Sequence, residues 1–129
     1  MPGKETFMIE GTLIAESLRV GTNLENLNLT VRKISRLRPG DTTADQPEIW
    51  TLLDFETEEA EADELVRAFA AALDDQPSWY VDFRSLAETF VVFPGRVFRY
   101  PRGDDLGRAQ ATAHGRQLAV PESQLDWPV

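Results

Sequence analysis

Residues 48–73, EIWTLLDFETEEAEADELVRAFAAAL, decide the fold, because their hydrophobic period changes in mid-run. Over Glu48 to Glu56 the apolar residues Ile49, Trp50, Leu52, Leu53 and Phe55 occupy both faces of an extended chain, as in a strand inside a sheet. From Glu58 onward Ala62, Leu65, Val66, Phe69, Ala72 and Leu73 recur at steps of three and four. That spacing predicts one apolar helix stripe over about 58–73. Thr57 is placed to cap the first turn, Glu58, Glu59 and Glu61 lie where the helix dipole favours negative charge, and Asp74-Asp75-Gln76-Pro77 stops the helix.

Upstream, Phe7 to Glu16 alternates as a first strand, with Ile9, Gly11, Leu13 and Ala15 opposed to Met8, Glu10, Thr12, Ile14 and Glu16. Leu18 to Asn28, rich in glycine and asparagine, reads as a loop. Leu29 to Leu37 is a second strand whose imperfect alternation marks an edge. Arg38 to Pro47, containing Pro39-Gly40-Asp41, is expected to be the most mobile internal loop.

Downstream, Trp79 to Arg84 alternates as a half-buried strand. Phe90 to Phe93 is apolar on both faces, Pro94-Gly95 makes a tight reversal, and Arg96 to Tyr100 returns as the last strand. Asp104 or Asp105 caps a closing helix over about 106–118, with Gly115 a weak point inside it. Pro121 stops that helix, and Trp127 is placed to dock the tail in a groove.

The order β-β-β-α-β-β-β-α predicts a single α+β domain over residues 1–129. Its mainly antiparallel sheet of about six strands carries two helices packed on one face, ferredoxin-like in part. That likeness concerns architecture and carries no function.

A chain of 129 residues, 42% apolar and 27% charged, is sized for one domain with a real core. With no cysteine, disulfides, thiolate metal sites and cysteine nucleophiles are excluded. Met1 to Phe7 lacks a signal-peptide pattern, and no apolar run is long enough to cross a membrane, so a cytoplasmic location is expected. The net charge is −9, and nine acids against Arg67 alone fall between Asp54 and Asp75. A nucleic-acid partner is not expected. The one basic run, Arg32, Lys33, Arg36 and Arg38, is split between faces by strand alternation.

No phosphate loop, dinucleotide fingerprint, nucleophile elbow or paired-histidine helix occurs, so neither a cofactor nor a metal is expected. The single histidine, His114, sits in the closing helix. The candidate ligand-binding residues are Tyr80, Asp82 and Arg84, which share one face of their strand, with Arg96 and Arg99 from the last strand. Arginines presented by a sheet grip carboxylate or phosphate through paired hydrogen bonds. The plainer reading is a solvated sheet face with Asp–Arg pairs. Asp54 and Glu56 can join Asp82 in a hard-cation or acid–base site if their strands are neighbours.

Helices on one face would leave Trp50, Leu52, Phe98 and Tyr100 on the other, a candidate interface for a homodimer. These features predict a non-enzymatic, oligomeric binding or regulatory module for a protein partner or an anionic metabolite. The alternative is a cofactor-independent enzyme acting on a small carboxylate-bearing substrate through Tyr80, Asp82 and Arg84, with Arg99 or His114 assisting.

Overall fold

The computed structural model describes residues 8–76 and 79–128. Phe7 and Pro77, assigned above to the first strand and the helix stop, lie outside the described residues. The strands are β1 (Met8–Ile14), β2 (Thr30–Leu37), β3 (Trp50–Glu58), β4 (Val81–Arg84), β5 (Glu88–Phe93) and β6 (Arg96–Pro101). They form one antiparallel sheet in the order β2-β3-β1-β4-β5-β6, with helices α1 (Ala62–Ala72) and α2 (Asp105–Gln117). The α+β class and the order of elements are as expected. β1 pairs antiparallel with both β3 and β4, so those two run parallel with β1 between them. β3-α1-β4 is therefore a split βαβ unit, the source of the partial ferredoxin likeness.

The helices do not share a face, which corrects the expected packing. Phe90 and Val92 of β5 enter a core with Leu65, Val66 and Phe69 of α1. Val91 and Phe93 enter a second core with Ala111 of α2 and with Tyr100, Leu125 and Trp127. Successive strand side chains point to opposite faces, so α1 and α2 lie on opposite sides of the sheet. The cause is β5 itself: every residue from Thr89 to Phe93 is buried, and a strand apolar on both faces needs cover on both.

The α1 side is built on aromatic contacts. Phe55, Phe69 and Phe83 meet pairwise edge-on at 5.7 to 5.9 Å between ring centres, and Phe90 stacks on Phe83 at 5.0 Å. The α2 side is built on small residues. Gly107, Ala111 and Gly115 form the buried stripe of α2. A Cβ on Gly107 would fall 2.5 Å from Tyr100 Cβ, so only glycine lets α2 lie this close to β6.

Asp104 caps α2 as expected, accepting a hydrogen bond from the Leu106 amide at 3.2 Å. Thr57 does not cap α1. It belongs to a longer β3, is buried, and its hydroxyl donates to the Asn28 carbonyl at 2.6 Å. The chain enters α1 through the 3-10 turn Glu59–Glu61 instead. After α2, residues 118–128 cross the second face as a strap. Trp127 anchors it, buried, with its indole N–H donating to the Tyr100 hydroxyl at 2.8 Å.

Candidate functional site

A cleft of about 270 Å³ opens where the strap meets the part of the second face formed by β1 and β3. β1 supplies Thr12 and Ile14, and β3 supplies Trp50 and Leu52. The segment entering β4 supplies Trp79, Tyr80 and Asp82. Strand register brings most of these side chains to one face: Ile14 lies opposite Leu52, and Thr12 opposite Asp54. The rim comes from Asp41 of the loop after β2 and from Ser123, Gln124 and Asp126 of the strap.

The two rim segments, the loop after β2 and the strap, are joined by hydrogen bonds. The side-chain amides of Gln46 and Gln124 exchange hydrogen bonds at 3.0 and 3.2 Å. Gln124 also donates to the Asp41 carbonyl at 3.0 Å, and Ser123 donates to the Asp41 carboxylate at 3.1 Å. From the floor, the Tyr80 hydroxyl donates to the Gln124 carbonyl.

Three carboxylates line this cleft, Asp41, Asp82 and Asp126, and among the described residues its lining contains no base. Burial raises the pKa of Asp82. The Arg84 guanidinium, 2.7 Å away, pulls it back, and Asp126 adds to the rise. Burial first, and then the charges of Asp82 and Asp126, push the Tyr80 phenol above its ordinary range. The Tyr80 hydroxyl is engaged as the donor to the Gln124 carbonyl.

Of the five candidate ligand residues, three come together. Tyr80, Asp82 and Arg84 share the second face; Tyr80 and Asp82 line the cleft, while Arg84 lies beyond it in a polar depression with Glu10, Arg32, Asp54 and Glu56. Arg96 is at the far side of the same face, its guanidinium 4.6 Å from the centre of the Phe98 ring. Arg99 is on the opposite face, bound to Glu88 at 2.9 Å and Asp63 at 2.8 Å. These partners hold its pKa above the ordinary arginine value.

Asp54 and Asp82 are not on neighbouring strands, because β1 lies between β3 and β4. Asp54 instead accepts from the Thr12 hydroxyl at 2.7 Å. Among the described residues no three metal-ligating side chains are gathered. His114 packs on Phe93 and Phe98, with ring centres 4.9 and 5.4 Å away. Burial and then Arg96 lower its pKa.

The candidate interface residues do not form an open patch. Trp50 is 8% exposed, set edge-on to Trp79 at 5.3 Å between ring centres, and Leu52 lines the cleft. Tyr100 is 7% exposed, and Phe98 is packed against the second core beside His114. The physical reason differs along the sheet: α2 covers Tyr100 and Phe98, whereas Trp50 and Leu52 pack with Trp79 at the end of the α1-side core.

Asp41, Gln124 and Asp126 carry no sequence signal as ligand residues. Gln124 lies 44 positions from the Tyr80 hydroxyl it receives, so no local spacing announces the contact. Fold and site together define an α+β sheet protein with an aromatic, acid-lined cleft on its second face. Compared with known proteins, the chain matches no family model, no curated protein and no solved structure.

Proposed function

We propose that this protein is a non-enzymatic binding module whose cleft takes a small organic cation with an apolar body. The observation that carries the reading is the lining: Trp50, Trp79, Tyr80, Ile14 and Leu52 as walls, with Asp41 and Asp126 outside any ion pair among the described residues, Asp82 paired with Arg84, and no base in the lining. Aromatic faces attract cations, and an ammonium or guanidinium group forms charge-assisted hydrogen bonds with a carboxylate. The volume lies just under the roughly 300 Å³ at which drug-sized sites begin, which suits a small ligand. An anionic metabolite is disfavoured here. Arg84 is neutralised by Asp82, Arg99 by Glu88 and Asp63, and an anion entering the cleft meets like charge.

The test is a pair of melting curves, with phenethylammonium and with 3-phenylpropionate, probes of similar shape and opposite charge. At a hundred times its dissociation constant a ligand adds about 2.7 kcal/mol, which raises the melting temperature by several degrees. The ammonium is expected to raise it and the carboxylate to leave it unchanged; the reverse pattern overturns the proposal.

A second reading rests on Asp82, a carboxyl with a raised pKa in a cleft, the setting of a proton acceptor. It requires wild-type protein to introduce solvent deuterium at a carbon of a small carboxylic acid, and Asp82→Asn to abolish that exchange.

A further inference from the structure

We propose that the outer edge of β2 takes an extended acidic segment of a partner protein as an added strand of the sheet. β2 pairs only with β3, and of its eight residues all but the half-buried Ser35 are exposed. Edge strands are guarded by shortness, proline, charged side chains, bulges or a covering element, and β2 has only the charges and one bulge. β2 has eight residues and no proline, whereas the opposite edge strand, β6, ends in Pro101 and is packed by α2. Val31 is 49% exposed, Ile34 66% and Leu37 41%. An unpaired backbone edge with apolar side chains along it is the geometry of strand addition.

Charge selects the occupant. Asn26 to Gly40 contains no acid and four bases, in a chain whose net charge is −9. Arg32 is held by Glu56 at 3.0 Å and Arg38 by Glu48 at 3.1 Å. Among the described residues, neither Lys33 nor Arg36 forms an ion pair within 4 Å. Past the bulge between Val31 and Lys33 the register is regular, with Lys33 opposite Asp54 and Arg36 opposite Thr51, so alternation points these two cations to opposite faces. A strand laid along this edge meets one cation above the sheet and one below, and acids on both of its faces answer them. A second copy laid antiparallel on β2 would bring like charges together. Nucleic acid would meet few free cations and no stacking aromatic on β2, on a chain that is acidic overall.

The test uses the full-length ¹⁵N-labelled protein and a capped eight-residue peptide of two Val-Glu-Glu-Val repeats, which carries glutamates on both strand faces. Outward-facing amides of β2 should gain at least tenfold protection from hydrogen exchange on saturation with the peptide. Lys33→Glu with Arg36→Glu should weaken binding at least tenfold with an unchanged circular dichroism spectrum, and Asp126→Asn in the cleft should leave it unaltered. Three results would overturn the proposal. They are an unprotected β2, equal affinity for the peptide with lysine in place of glutamate, and displacement of the peptide by equimolar single-stranded DNA. Concentration-dependent protection of β2 in a dimer without peptide would also overturn it, in favour of a second copy.

Discussion

Asp82 is placed between two influences of opposite sign, burial that favours its neutral form and Arg84 that favours its charged form. Burial dominates, so its folded pKa lies above the ordinary 3.8. A carboxyl raised in this way stabilises the fold at low pH, and that contribution is lost as pH rises through the folded pKa. Arg84 limits the loss. Arg84→Met leaves a mostly buried carboxylate unpaired, and should destabilise the protein by about 3 kcal/mol at pH 7, the low end for a buried pair because both side chains keep about a fifth of their surface exposed. The deficit should shrink on acidification, because protonated Asp82 needs no partner; urea unfolding at pH 7 and pH 5 measures both. Cation binding should follow the same group with opposite sense. It should weaken as pH falls, beginning at a higher pH than an ordinary aspartate would give, as a calorimetric pH series will show.

Among the elements, the two helices differ in what their sequences declare. The core side of α1 is a stripe of Leu65, Val66 and Phe69, and the spacing of that stripe is enough to locate the helix. α2 buries Gly107, Ala111 and Gly115, so its contact face carries almost no hydrophobic signal, and Gly115, a weak point by helix propensity, is part of the contact. The side of the sheet that α2 covers is therefore not legible in the helix itself. The two-faced apolar run Phe90 to Phe93 holds the clue, since one covered face would leave half of it wet. Gly107→Ala should destabilise by about 1–3 kcal/mol, because its Cβ would collide with Tyr100. Trp127→Ala, which removes the strap's anchor, should cost about 3–5 kcal/mol. Chemical unfolding of each variant checks these values. β2 is legible as an edge, and its irregular alternation has a definite cause in the bulge before Lys33.

The whole molecule brings together what the chain keeps apart. The cleft draws on residues 12–14, 41, 50–52, 79–82 and 123–126. Only Tyr80 and Asp82 are recognisable as ligand residues from strand alternation. The others are joined by the pairing of β1 with β3 and by the strap crossing the second face, neither of which has a signature in local spacing. Among the described residues no helix is long and apolar enough to cross a membrane. The central claim is that the cleft selects positive charge. Isothermal titration of phenethylammonium into the protein at pH 7 should give one site per chain, weakened about tenfold by Asp126→Asn through loss of a charge-assisted contact. No binding of the ammonium, or binding of 3-phenylpropionate in its place, would contradict the account.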